Sequence, residues 1–495
     1  IYSLGAATEG MQVDSYEDQI LSEGYFAIGG IDYKDKYILD MLFRKDGSSL
    51  FGENERWQNY YRVSSAWRLS EEAFWSSLKG TVNEAKFRFS KGTAGNRPSF
   101  AAQYETYNVS GGIISKQNLG NKDLLPEFST ETELGFDFSI MNKYSVQITQ
   151  ATSIIENQIL LVPLQGFYGY ESQWKNSGTL KSETLEMSLQ TVLMSTRNMQ
   201  WTANVLYDKS TSEITEFDLP PYLWSPEESW WAFPVFMNQK GELLGNLYGH
   251  KFIRDLDDLP SYVEKSEFEK NDDGYVVWVG SGNNYEMGIS DNLWGGSTTL
   301  YSSDSSSSSS YNWGRPIIYS EEDGNDIVNI GTTNSDFNYA FGTDFRFKGL
   351  SVYLLFEGQK GGNIYNFTRQ WAFRDHASPE DNQGDKKDSK KKPTVYYDDL
   401  YDVSAPNSHF VEDASYLKLQ ELAIRYDLNL SRLGFNNRVT IGVIGRNLIT
   451  WSDYLGYDPD VGASNNDGGS AVIARFDGYQ YPNFRTLTFT LEVEI

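Results

Sequence analysis

From Thr486 to the last residue, apolar and polar side chains alternate without a break. Leu487, Phe489, Leu491, Val493 and Ile495 fall on one side, and Thr486, Thr488, Thr490, Glu492 and Glu494 on the other. Neighbouring side chains of a strand point to opposite faces, so this stretch predicts a strand with one greasy and one wet face. A soluble edge strand would carry the same local signature. Repetition separates the two, because the pattern recurs in strands of about ten residues, the length that crosses a bilayer when tilted.

In chain order, residues 25–33 and 37–45 predict a hairpin turned by Lys34-Asp35-Lys36. Residues 59–69 follow, with Tyr61, Val63, Ser65 and Trp67 on one face, and then 85–93. Residues 133–140 turn through Met141-Asn142-Lys143 into 144–152, where Tyr144, Val146 and Ile148 face out. Residues 180–194 turn through Ser195-Thr196-Arg197-Asn198 into 200–210, with Trp201, Ala203, Val205 and Tyr207 on one face. Residues 334–348 turn at Gly349 into 351–357, and 415–428, 438–450 and the terminal strand complete the set. In all, roughly fourteen strands are expected. Short turns at 141–143 and 195–198 contrast with long excursions at 97–130 and 215–333. That is the asymmetry of periplasmic turns and extracellular loops. The fold class is therefore all-β, a large antiparallel transmembrane β-barrel in a bacterial outer membrane. Three stretches fall outside it: a polar loop over 1–23, a single helical turn over 71–78, and a flexible serine tip at 305–310.

Composition narrows the picture. No run of 18 apolar residues exists in the 495, so no stretch predicts a transmembrane helix. The formal charge of −26 repels nucleic acid. Cysteine is absent, which removes thiol catalysis, thiolate metal sites and disulfides. Ile1 is not a start residue and no signal peptide precedes it, so the chain reads as a processed, truncated or partial product. Inside this acidic chain Lys386, Lys387, Lys390, Lys391 and Lys392 form a basic run. It predicts a solvated loop, with contact to lipid A phosphate as the minor alternative.

Catalytic chemistry finds no foothold. His250, His376 and His409 are scattered, and neither a Gly-x-Ser-x-Gly elbow nor a phosphate-binding glycine loop is present. Two clusters could bind something. Tyr222, Trp224, Trp230, Trp231, Phe233 and Phe236 are not at strand spacing. They either pack a loop core or stack on a flat ligand such as a sugar, and Tyr222, Trp224, Trp230 and Trp231 are the candidate stacking residues. Asp458, Asp460 and Asp467 offer several hard oxygens at flexible spacing, the requirement of a structural calcium ion, although the spacing is not an EF-hand.

Several ordered segments carry a family resemblance. They include Asp35-Lys36-Tyr37-Ile38-Leu39 and Phe43-Arg44-Lys45-Asp46-Gly47-Ser48-Ser49, then Ala66-Trp67-Arg68-Leu69-Ser70-Glu71-Glu72 and Gly92-Thr93-Ala94-Gly95-Asn96. Gly120-Asn121-Lys122-Asp123-Leu124, Tyr416-Leu417-Lys418-Leu419, Gly445-Arg446-Asn447-Leu448 and Gly456-Tyr457-Asp458-Pro459 continue the series. In this number and order they resemble the carboxy-terminal half of SusC/RagA-type TonB-dependent outer-membrane transporters. The resemblance implies a barrel of roughly 22 strands with an internal plug. It implies import of oligosaccharides or peptides energised by the TonB complex, a SusD-like lipoprotein as partner, and a homodimer of receptor–lipoprotein pairs as one option. A structural or adhesive barrel without transport is the alternative. The plug is not among these residues, and Ile495 stands where the family commonly ends in an aromatic.

Overall fold

The computed structural model describes residues 19–51, 56–110, 113–224, 234–295, 298–303, 307–374, 378–402, 405–429, 438–460 and 475–494. Among them, thirteen strands pair antiparallel in one sheet, each beside its neighbour in chain order. They are β1 (Ser22–Tyr33), β2 (Tyr37–Ser48), β3 (Trp57–Arg68), β4 (Val82–Asn96), β5 (Glu127–Ile140), β6 (Tyr144–Glu156) and β7 (Thr179–Ser195). Then come β8 (Met199–Glu216), β9 (Phe337–Phe347), β10 (Leu350–Lys360), β11 (Tyr416–Asn429), β12 (Arg438–Ser452) and β13 (Thr486–Glu494). Every strand expected from alternation is present, most of them longer by a few residues, and the count is thirteen rather than fourteen. No described helix is long and apolar enough to cross a membrane.

The chain divides into two compact units, residues 1–187 with 212–220, and residues 188–211 with 221–495. In the first unit the register sets Tyr37 opposite Trp67 and Trp67 opposite Phe87, continuing to Phe136 and Ile148. All five therefore share one face. The other face carries Arg44, Asp40, Arg62, Lys86, Arg88 and Asp137 by the same register. Lys86 and Arg88 both reach Asp137, at 2.7 and 2.9 Å. An apolar face toward lipid and a charged face toward the interior is what a membrane wall requires.

Tight hairpins set these registers. Lys34 and Asp35 have φ of 58° and 53°, and Met141 and Asn142 have 54° and 50°. Two successive positive φ values define the turn whose twist matches its flanking strands. Between β3 and β4 two short 3-10 turns, Leu69–Glu71 and Ala73–Trp75, replace the single helical turn expected there.

In the second unit, Trp201, Phe345, Val352, Ile424, Val443 and Phe489 form one cross-strand row on the apolar face. The long excursion is not structureless. Tyr222–Trp224, Phe236–Asn238, Asn246–His250 and Ile327–Thr332 form a four-stranded sheet. It lies over a core that includes Val235, Phe252, Tyr275, Tyr365, Phe373, Tyr396 and Phe410. A second core gathers Ile253, Val277, Trp278, Ile289 and Trp313. Ser307–Ser310, expected in a flexible tip, lie in a strand, Ser307–Asn312, paired with Thr298–Ser303 by a backbone ladder, while Ser305 and Ser306 lie outside the described residues. In the lysine run Lys387 and Lys390 are exposed, as expected of a solvated loop, but its two ends are engaged. Lys392 is fully buried against Asp272 and Asp273, and Lys386 donates to the Tyr397 hydroxyl at 3.0 Å. A buried ammonium persists only where carboxylates meet it, and these two do.

Candidate functional site

The inward face of the second unit is the first part of the site. Strand alternation sends Asp344 and Arg346 of β9, Ser351 and Tyr353 of β10, Glu421, Arg425 and Asp427 of β11, Thr440 of β12 and Glu492 of β13 to one side. Together they line a cavity of about 600 Å³. Three of its carboxylates have short contacts. Arg346 meets Asp344 at 2.9 Å, Arg446 meets Glu421 at 2.8 Å, and Thr440 donates to Asp427 at 2.8 Å. Such a surface offers many exchangeable polar contacts and no nucleophile held by a base.

The loop module is the second part. Arg369, on the helix Phe367–Arg374, meets Glu380 at 2.6 Å and Glu412 at 3.1 Å and donates to the His409 carbonyl at 3.0 Å. His409 Nδ1 lies 2.7 Å from the Tyr275 hydroxyl. Burial, followed by the Arg369 and Arg254 cations, holds the His409 imidazole well below its usual pKa. His250 is the opposite case, raised first by its hydrogen bond to Asp402 at 3.0 Å, against the effect of burial. Burial brings the Lys392 ammonium down to about 8. These are scaffold interactions that order long connections.

The residues proposed from sequence fall out as follows. Tyr222 and Trp224 stand in the first strand of the module sheet, and Trp224 packs on Phe236 at 5.2 Å between ring centroids, against the first of the two cores. Trp230 and Trp231 lie outside the described residues. Asp458 and Asp460 come together around Lys418, whose ammonium is 2.8 Å from the first and 3.1 Å from the second, while Arg475 approaches Asp460 at 3.6 Å. Asp467 lies outside the described residues. Burial is the largest single influence on the Asp458 carboxyl and would raise it, but the Lys418 hydrogen bond and charge, the Asp460 N–H and Asn483 together lower the pKa. Among the described residues, the ammonium of Lys418 is the positive charge between these two carboxylates. His376 is also outside the described residues. Arg369, His409, Lys392 and Lys418 were not proposed from sequence. For Lys418 a signal existed, because alternation sets it inward between Leu417 and Leu419. For the others none did, because their partners are remote in the chain.

The family model described as TonB dependent receptor-like, beta-barrel matches residues 3–278, more than half of the chain. The chain belongs to the TonB-dependent receptors. Its relatives include TonB-dependent receptor P39 of Formosa agariphila, 27% identical over 96% of this receptor chain and 46% of the relative. TonB-dependent receptor SusC of Bacteroides thetaiotaomicron is 24% identical over 39% of the chain and 20% of its own length. Among solved structures, the RagAB peptide transporter superposes with a TM-score of 0.68 at 19% identity, over 99% of this chain and 49% of that one. This likeness bears on the fold. The receptor chain spans about half the length of the curated relatives it matches along most of its own length. A place in the outer membrane follows from the family and the strand architecture.

Proposed function

We propose that this chain forms the carboxy-terminal part of the barrel of an outer-membrane importer. Its cargo is an oligosaccharide or a peptide, it works with a SusD-like surface lipoprotein, and TonB drives it. The observation that carries the reading is the inward face of β9–β13, a wall of charged side chains around a cavity of about 600 Å³ with no catalytic constellation in it. The relatives named SusC and RagAB support the cargo classes and the lipoprotein partner. The long connection 217–336 carries 20 acidic against 6 basic residues. A mouth of that sign repels polyanions and favours neutral or cationic cargo.

The test uses the intact receptor in its own outer membrane. Cells lacking it are compared with complemented cells for uptake of labelled neutral oligosaccharides, sulfated oligosaccharides and basic peptides. Loss of neutral or basic cargo uptake together with co-purification of a surface lipoprotein supports the reading. Unchanged uptake of every cargo, with the barrel still abundant at the surface, moves the structural or adhesive alternative forward.

A further inference from the structure

The strand directions place the two- and three-residue turns of a unit at one end of its strands and its longest connections at the other. At the short-turn end of the first unit one local arrangement recurs. Lys34 sits in the left-handed region with its ammonium 5.1 Å from the Tyr33 ring centroid. Lys143 closes the Met141-Asn142 turn with its ammonium 5.3 Å from the Tyr144 ring. An ammonium so placed is pinned at the level of the aromatic row, where a membrane interface lies. The row itself is built: Tyr33 stacks on Tyr37 and Tyr37 on Trp67, each pair 6.4 Å between centroids, all three exposed. Exposed Phe74, Leu78 and Met141 add apolar prongs at the same end.

Two of the carboxylates at this end are taken by cations, while Asp32 accepts the Asp35 N–H at 3.0 Å in the Lys34 turn. Glu72 accepts from Tyr37 at 2.5 Å and from Trp67 at 3.2 Å, and meets Lys36 at 3.4 Å, while Glu71 meets Lys79 at 3.2 Å. Lys34 and Lys143 have no carboxylate partner among the described residues. The second unit repeats the arrangement on its own. Lys348, with φ of 48°, holds its ammonium 5.1 Å from the Phe347 ring, and no acidic residue lies in that turn. At the opposite end of the same strand, β9, runs the connection with 20 acidic and 6 basic residues. The acidic end repels an anionic headgroup and the short-turn end attracts it.

We propose that the short-turn end of the wall is a binding surface for anionic phospholipid of the periplasmic leaflet, with the Lys34 and Lys143 ammonium groups as headgroup contacts. The proposal rests on the membrane-spanning reading of the wall and not on any cargo. Phospholipid of that leaflet meets the short turns of a barrel. Each surface lysine near an anionic leaflet changes occupancy about fivefold.

The experiment takes the intact receptor into nanodiscs of phosphatidylcholine mixed with phosphatidylglycerol. Native mass spectrometry then counts the lipids retained on release. The expected result is enrichment of phosphatidylglycerol that falls about fivefold or more in Lys34→Ser/Lys143→Ser and survives in Lys34→Arg/Lys143→Arg. Equal enrichment in wild type and the serine variant, with unchanged strand circular dichroism, overturns the proposal. So does a wild type with no preference for phosphatidylglycerol. If the double variant fails to insert, Lys348→Ser puts the same question to the second unit, with the same two outcomes. Lipid retention is read without transport, so a receptor that imports nothing can still pass this test, and one that imports can fail it.

Discussion

Lys418 and Asp458 form a buried ion pair at 2.8 Å, with side chains only 2% and 7% exposed. The lysine comes from the wall strand β11 and the aspartate from the connection after β12. The pair ties a loop to its barrel strand, and Asn483 donates to the free Asp458 oxygen at 3.1 Å. Replacing Lys418 with Met leaves a buried carboxylate unpaired, which costs about 3–5 kcal/mol. Hydrogen exchange over residues 453–460 should rise sharply in that variant. Unchanged protection there would show that the pair does not order the loop.

Trp224 is expected to act as core. Trp224→Ala opens a void beside Phe236 and should destabilise the module by up to about 3 kcal/mol, the low end for a large aromatic because Trp224 is only partly buried. Limited proteolysis of the receptor in detergent reads this as faster cleavage between 234 and 333. A variant as resistant as wild type, yet weaker in cargo binding, would return Trp224 to the ligand.

Acid should loosen the module around His409. Its folded pKa lies well below the unfolded value of about 6.5, so the unfolded chain takes up the proton first. The stabilising contribution is whole above about pH 6.5 and is lost as pH falls below it toward the folded value. Arg369, Arg254, Tyr275 and Glu380 are the groups that face the ring. His250 has the opposite sign, since its raised pKa stabilises below about 6.5 and fades as pH rises through the folded value. Hydrogen exchange of residues 405–413 on acidification from about pH 7.5 to about pH 5 separates the two. With exchange corrected for its intrinsic pH dependence, lower protection at the acid end in wild type and a flatter response in His409→Gln are expected.

Gly249 permits a close approach. A Cβ there would overlap the backbone carbonyl of Pro406, which also accepts from the His250 N–H at 2.7 Å. Gly249→Val should cost about 1–3 kcal/mol by overpacking. A thermal melt of the purified receptor, followed by tryptophan fluorescence, checks it.

Lipid-facing and inward-facing residues were legible from alternation, because a strand's period of two is local and a membrane wall keeps it over every strand. The Tyr61–Val63–Ser65–Trp67 face is confirmed by register against Phe43, Met41, Leu39 and Tyr37. The 3-10 turns over 69–75 were harder to place, since tertiary packing sets such short helices more than propensity does. The four-stranded module sheet was not legible, because its strands of three to six residues come from segments up to about a hundred residues apart and carry too few positions to show a period.

What the amino-acid order determined by itself was the wall: which side chains face lipid, where the turns fall, and that the chain is acidic without cysteine. What only the tertiary structure decided was the fate of charges within the loops. That Asp458 and Asp460 share Lys418, and that Lys392 is buried against two aspartates, could not be read locally, because local sequence shows charge but not its partner. Lys418 stands 40 residues before Asp458, and Asp272 stands 120 before Lys392. Desolvation makes such groups choose partners through space, and the distance that matters is then the one the fold creates.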